Sequence, residues 1–495
     1  MTFEIVFVLL SLLGMMAALI ADKMRPGMVL FSVVVLFLCV GILTPKEMLE
    51  GFSNKGMITV ALLFLVSEGI RQSGTLGQVI KKLLPQGKTT VFKAQLRILP
   101  SVAFISAFLN NTPVVVIFAP IIKHWAKSVK LPATKFLIPL SYVTILGGIC
   151  TLIGTSTNLV VHGMILEAGY EGFTMFELGK VGIFIAIAGI IYLFIFSKRL
   201  LPDARPDTAV PDEEVEEGEK LHRVEAVLGA RFPGINKKLS DFNFQRHYGA
   251  EVKEIKTRNG QRYVDHLEDV VLREGDTLVV MADDTFIPTW GESSVFVLLT
   301  NGNDPDTSGK KKRWLALILL VLMIVGATVG ELPATKEMFP DIKLDMFFFV
   351  CITTIIMAWT NIFPARKYTK YISWDILITI ACAFAISKAM VNSGVADCVA
   401  GFIIGLSDDY GPHVLLAILF VITNLFTELI TNNAAAALAF PLALSISAQL
   451  GVSPTPFFVV ICMAASASFS TPIGYQTNLI VQGIGNYKFT DFVRI

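Results

Sequence analysis

Two short polar runs interrupt long apolar stretches of this chain: Asn110-Asn111-Thr112, inside about 94–126, and Thr431-Asn432-Asn433, inside about 412–449. A second pair, Gly154-Thr155-Ser156-Thr157-Asn158 and Gly474-Tyr475-Gln476-Thr477-Asn478, breaks two further apolar runs. Carboxamides, hydroxyls and backbone groups at such breaks can do two kinds of chemistry without burying a charge. The N–H groups of a helix start cradle an anion, and carbonyl and side-chain oxygens cage a small cation. Asn and Thr also cap helix starts, so capping without a ligand is the plain alternative. Capping alone does not require one common spacing, yet every break recurs about 320 residues later. Asn111 precedes Pro120 by nine positions, as Asn432 precedes Pro441, and Phe173-Thr174 is repeated as Phe489-Thr490.

The elements that carry these breaks must lie in lipid. Of 495 residues, 54% are hydrophobic and 16% charged, against roughly 25% charged in soluble domains, which argues against a soluble enzyme. A net charge of +1 leaves no basic excess for phosphates, so nucleic acid is not an expected partner. Cys39, Cys150, Cys351, Cys382, Cys398 and Cys462 form no CxxC pair and read as buried apolar residues, not a disulfide or zinc framework. Thr2 to Ile20 carries Glu4 as its one charge; lacking the basic start of a signal peptide, it reads as a retained span.

A helix needs ~20 apolar residues to cross a bilayer. Such runs recur at about 3–21, 27–43, 56–70, 137–168 and 178–197, then at 314–330, 345–360, 374–392 and 455–484. The stretches broken at Asn110–Thr112 and Thr431–Asn433 read as re-entrant hairpins, and Pro113 fits the first helical position after the first tip. Basic clusters such as Lys23 with Arg25, Lys123 to Lys135 and Lys310 to Arg313 fall on alternate connections, marking the cytoplasmic side and placing the N-terminus outside. The loop with Glu167, Glu171 and Glu177 and the stretch Val391 to His413, with Asp397, Asp408 and Asp409, face outside on the same reading. Five crossings in the first block is odd, so the second copy starts from the other side and the copies take opposite orientations, as in secondary transporters.

The expected fold is an all-α polytopic membrane protein of the cell (inner) membrane. It has two inverted repeats, each with a re-entrant helical hairpin and a broken helix, and a small cytoplasmic α+β domain between them. Residues 1–200 form the first repeat, 201–220 an acidic linker, 221–290 the small domain, 291–312 a linker and 313–495 the second repeat. Pro202 to Lys220 holds eight acids and reads as solvated; calcium binding is a lesser reading. Alternating patterns at Glu251–Ile255, Thr277–Met281 and Val295–Leu299 read as strands. The second repeat stops where a partner of 178–197 would begin, so it is expected to lack its last helix.

The doubled tips and doubled breaks resemble the divalent-anion/sodium symporter family, over roughly 300 residues of both membrane blocks. In that family each tip reads Ser-Asn-Thr, one Na+ binds per repeat, and the two tips share an anion while the tip-bearing domain moves like an elevator. The resemblance implies a first cation site at Asn110, Asn111, Gly154, Thr155 and Asn158. It implies a second at Thr431, Asn432, Ser470, Thr471, Gly474 and Asn478, with Thr112, Thr157, Asn433 and Thr477 toward the anion. Here the tips read Asn-Asn-Thr and Thr-Asn-Asn, so sulfate stands beside dicarboxylates and citrate as cargo. Na+ is the implied metal, no cofactor is implied, and a homodimer is. Arg223 to Thr289 resembles the C-terminal subdomain of RCK (TrkA-type) proteins, through Tyr248-Gly249-Ala250-Glu251-Val252 and Leu272 to Val280. The nucleotide-binding partner subdomain is absent, and the resemblance implies a small regulatory ligand.

Other residues have two readings each. Glu428, four before Asn432, is an acid inside an apolar hairpin and a candidate to carry a coupling proton, or else a hydrogen-bond partner of the hairpin backbone. His162, four past Asn158, shares a helix face with it but reads more simply as a partner of backbone. Gly474-Tyr475 resembles a potassium-filter fragment, yet the full TVGYG is missing. The leading expectation is Na+-coupled symport of a divalent oxyanion. The alternatives are proton-coupled or exchange transport of another anion, such as metalloid oxyanion efflux, and an RCK-gated channel. No P-loop and no nucleophile–base set supports an enzyme.

Overall fold

The computed structural model describes residues 3–21, 23–85, 87–203, 222–229, 231–257, 261–283, 286, 290, 295–300, 310–339, 341–405, 411–472 and 474–495. The acidic run from 204 to 220, Asp408 and Asp409 lie outside them. The first block holds α1 (Phe3–Ala21), α2 (Pro26–Val40), α3 (Lys55–Gln72), α4 (Thr75–Leu83), α5 (Val91–Ser106), α6 (Asn111–Ser128), α7 (Thr134–Gly148), α8 (Ser156–Glu167) and α9 (Gly179–Leu200). The second holds α10 (Lys310–Gly330), α11 (Met346–Trp359), α12 (Trp374–Asn392), α13 (Val395–Gly405), α14 (Pro412–Leu429), α15 (Asn432–Leu450), α16 (Thr455–Ser466) and α17 (Gln476–Gly485).

Among the described residues seven segments are long and apolar enough to cross a bilayer: α1, Pro45–Gln72, α9, α10, α12, α14 and α15. With the helices predominating, this is a polytopic membrane protein. α9 shows how lipid sorts its faces, for Phe184, Ile187, Ile191 and Ile195 are exposed while Gly182, Ala186 and Leu193 are buried. Two expected spans are shorter. α2 has 15 residues because Pro26 starts it and Gly41, at φ 84°, stops it; α11 has 14, opened by an Asp345 cap. Both fall below the ~20 residues a bilayer core takes. The stretch Val391 to His413, read as an outward-facing loop, contains α13. That helix buries Val395, Ala396, Ala400 and Ile403 and packs on α15, as α4 packs on α6; the sequence reading missed both because each is one short amphipathic stripe.

Packing repeats between the blocks. α2 packs on α12 as α11 packs on α3, α5 on α7 as α14 on α16, and α6 on α17 as α15 on α8. Every residue of α7 is buried, which its small residues permit: a Cβ at Gly147 would lie 2.1 Å from the Ala103 carbonyl oxygen, so α5 and α7 touch backbone to backbone.

Five antiparallel strands connect the blocks: β1 (His222–Leu228), β2 (Glu251–Lys256), β3 (Arg262–Tyr263), β4 (Thr277–Ala282) and β5 (Phe296–Thr300), in the order β3-β2-β4-β1-β5. β5 answers to the strand read at Val295–Leu299 and pairs with β1, past the expected domain end at 290 and inside the expected 291–312 linker, so the sheet runs on to Thr300. Strand alternation divides its faces. Val224, Ala226, Leu228, Leu278 and Val280 pack on an aromatic cluster of Phe232, Phe242, Phe244, Tyr248 and Phe296. The opposite face meets the helices: Val227 joins the membrane core, and Cβ positions at Gly275 and Gly483 fall against Leu479 and Thr277. Glu225 pairs with Lys123 of α6 at 3.2 Å and with Lys256 at 3.4 Å. The sheet therefore rests on α6 and α17.

Burial opposes ionisation of Glu225, but Lys123 and Lys256 outweigh it and hold its pKa at about 2, below the ordinary 4.5. A carboxyl whose folded pKa is lowered stabilises fully above its unfolded value and loses that contribution as pH falls through the folded one. Thermal stability of the full chain in detergent should keep this contribution down to pH 4.5 and lose it near 2; in Glu225→Gln that limb should be absent. Lys123→Met should cost about 3 kcal/mol, read as a lower Tm.

Candidate functional site

Four helices start at the matched breaks: α6 at Asn111, α8 at Ser156, α15 at Asn432 and α17 at Gln476. Their N-cap residues, Asn110, Thr155, Thr431 and Tyr475, make no side-chain capping bond. The capping role expected of these Asn and Thr side chains is not taken up, so the first-turn N–H groups, which have no partner inside a helix, are not closed off by them. Pro113 is the third residue of α6, two positions later than expected, where a missing N–H still costs nothing.

Each tip is braced alike. A 2.8 Å bond joins the Ser106 hydroxyl and the Asn111 amide, and Ser106 donates to the Thr144 carbonyl at 2.8 Å. In the second block Thr427 Oγ1 lies 2.8 Å from Asn432 Oδ1 and 2.6 Å from the Ala465 carbonyl oxygen, its one proton serving one of them. The broken helices share a second device. Asn158 Nδ2 donates to the Gly148 and Thr151 carbonyls at 3.4 and 2.9 Å, and Asn478 Nδ2 to those of Ser468 and Thr471 at 3.0 and 3.2 Å. These two amides tie the breaks shut from behind. Gly154 permits the tight crossing, since a Cβ there would sit 2.4 Å from the Gly148 carbonyl oxygen.

The tips then join crosswise to the opposite breaks. The Asn111 amide and Tyr475 hydroxyl are 2.6 Å apart, and that hydroxyl is 3.2 Å from Thr155 Oγ1 and also meets Asn432. Thr112 donates to Gln476 at 3.3 Å, while Ser156 and Thr157 donate to Asn433 Oδ1 at 3.3 and 3.2 Å. Ser141 donates to Asn478 Oδ1 at 2.7 Å, and its hydroxyl lies 2.8 Å from that of Thr477. Asn111, Thr112, Thr155, Thr157, Asn432 and Asn433 are thus brought together. Asn110 is half-buried, at a crevice lined by Ser67, Phe108, Ser156, Leu320 and Met323.

Other expected residues stand differently. Thr471 Oγ1 accepts from the Gly474 N–H at 3.2 Å, so it holds its own loop. Ser470 has an exposed side chain, and its N–H donates to Glu428 at 3.1 Å. His162 packs its ring against Gly172. Ser106, Thr427, Ser141, Gln476 and Tyr475 were not singled out as site residues. Ser106 and Thr427 each stand five before an Asn of a tip, a matched spacing that could have flagged them. Tyr475 has no such signal, because its match in the first block is Thr155 and its importance lies in where its hydroxyl reaches. Among the described residues no group of three or more His, Cys, Asp or Glu could hold a metal ion.

The chain matches the citrate transporter (CitMHS) family over residues 16–447, and again over 338–494. The chain belongs to the citrate transporter family. An uncharacterized transporter of Synechocystis sp. is 29% identical over 94% of this chain and 89% of its own length. Sodium/sulfate cotransporter 2 of Chlamydomonas reinhardtii is 30% identical over 55% of this chain and 30% of its own. A sodium-dependent dicarboxylate transporter of Staphylococcus saprophyticus is 28% identical over 24% of this chain. These similarities agree with the permease type to which the tips pointed.

In this citrate transporter family member the crosswise bond between Asn111 and Tyr475 should be energetically real. A double-mutant cycle of Asn111→Ala and Tyr475→Phe, read by thermal unfolding in detergent, should show coupling of about 0.5–3 kcal/mol; additive losses would mean that the halves are not joined there.

Proposed function

We propose that the chain is a sodium-coupled symporter of a small dianion, sulfate first among them, working by elevator-like movement of the tip-bearing helices between two oppositely oriented repeats. The observation that carries this reading is the crosswise meeting of four helix starts that no side chain caps. Each helix start is equivalent to roughly half a positive charge, so four of them offer about two, the charge of a dianion. None of the hydrogen bonds given above at the tips involves a Lys or Arg, so dipoles, amides and hydroxyls are left to hold the anion, with Thr112, Thr157, Asn433 and Thr477 nearest in kind. Such a site suits a compact tetrahedral oxyanion, and the names of the sodium/sulfate relatives favour the same cargo.

The sheet would lie in the cytoplasm and act as an RCK-type regulatory domain. Resting on α6 and α17, it could transmit a small ligand's binding to the site. Proton coupling is the second reading, and Glu428 beside the second break is the observation that favours it.

Counterflow in proteoliposomes with labelled sulfate, succinate and citrate, with and without Na+, is the deciding measurement. Sulfate should exchange fastest and only in Na+. Uptake of all three without regard to Na+ would sink the symport reading, and citrate alone in Na+ would move the cargo.

A further inference from the structure

The two breaks are built on one plan, yet three matched positions differ in ways that concern a cation. Where the second block has Glu428 the first has Ala107, where it has Ser468 the first has Gly148, and where it has Tyr475 the first has Thr155. The consequences are opposite at the two breaks. At the first, the Tyr475 hydroxyl arrives from the other half and is already bonded to Asn111 and Thr155, two of the side chains expected to hold the first cation, while at the second it meets, among the described residues, Asn432 alone. The remaining buried oxygen there without a partner, among the described residues, is Asn158 Oδ1.

At the second break the oxygens are left over. Glu428 Oε2, Thr431 Oγ1, Ser466 Oγ and Ser468 Oγ are all buried without a hydrogen-bond partner. Glu428 Oε1 accepts the Ser470 N–H at 3.1 Å, which fixes the carboxylate against the break. Ser468 Oγ lies so close to Gly474 that a Cβ there would be 1.9 Å from it, and 3.0 Å from the Thr427 carbonyl oxygen. Buried polar atoms in folded proteins nearly always have partners, and a carboxylate in lipid needs a counter-charge. Ser468 Oγ and the Thr427 carbonyl oxygen border the break at Gly474 and the Glu428 carboxylate is held at Ser470, with Thr431 at the tip and Ser466 at the end of α16. Hydroxyl and carbonyl oxygens with one carboxylate are the kind of ligands a monovalent cation takes.

We propose that the two matched sites are unequal: one coupling Na+ binds, at the second break, with Glu428 as its charged ligand, while the Tyr475 hydroxyl fills the first site from the opposite repeat. This rests on the sodium-symport reading and narrows it from one ion per repeat to one per chain. With Glu428 ionised, Na+ neutralises the site, so the loaded carrier crosses with the anion's own charge against the helix dipoles.

The test is Na+-dependent sulfate uptake by the full chain in proteoliposomes, with Na+-induced thermal stabilisation in detergent as a binding readout free of transport. Wild type should give a Hill coefficient of about one for Na+. Glu428→Gln should raise half-saturation by roughly tenfold or more and abolish the stabilisation. Should that variant fold poorly, Ser468→Gly, which copies the matched Gly148, carries the test and should weaken Na+ in the same direction. A wild-type Hill coefficient near two, or wild-type half-saturation in Glu428→Gln and Ser468→Gly, overturns the inference while symport stands. Wild-type uptake and stability indifferent to Na+ overturn both.

Discussion

A helix cannot stop inside a bilayer unless the backbone groups it releases find partners, because lipid offers none. Four helices stop or start in this protein where the chain is otherwise built for lipid, and much of the remaining architecture exists to make that tolerable. Asn158 and Asn478 turn inward to bind the carbonyls that the broken helices set free. Ser106 and Thr427 hold the tips against neighbouring helix backbones. α7 is buried along its whole length because both its neighbours and the opposite break lean on it. After these groups are satisfied, what remains without side-chain caps are the N-terminal turns of α6, α8, α15 and α17.

The crosswise bonds make the two halves answerable to one another. Tip one meets break two through Tyr475 and Gln476, and tip two meets break one through Ser156 and Thr157. Neither half makes these bonds alone. The sheet adds a third party: through Glu225 and Lys123 it grips the helix that begins at the first tip, and through Gly275 and Thr277 it lies on the helix that follows the second break. Buried charge at that contact is costly unless paired, so a displacement of either helix would be felt in the sheet.

Much of this was legible beforehand, for definite reasons. The breaks at Asn110–Thr112 and Thr431–Asn433 stood out because carboxamides are rare in lipid, and each proved to lie where one helix ends and another begins. The strands at Glu251–Ile255 and Thr277–Met281 followed from alternation and match β2 and β4 closely. Less legible was anything that depends on a short stripe: α13 lies in a stretch that reads as a loop, whereas the alternation at Val295–Leu299 matches β5 and only the domain boundary at 290 stopped short of it. Spacing could place Asn158 and Asn478 near the breaks but not tell that their amides face the loop carbonyls.

By itself the amino-acid order determined that the chain lives in lipid, where its helices break, and that the breaks come in matched pairs, since hydropathy and spacing are properties of the chain alone. Which side chains cross from one half to the other was decided only by the fold. Tyr475 shows why. A long side chain reaches a partner several hundred residues away, and no local rule links its position to Asn111 until the two halves are packed face to face.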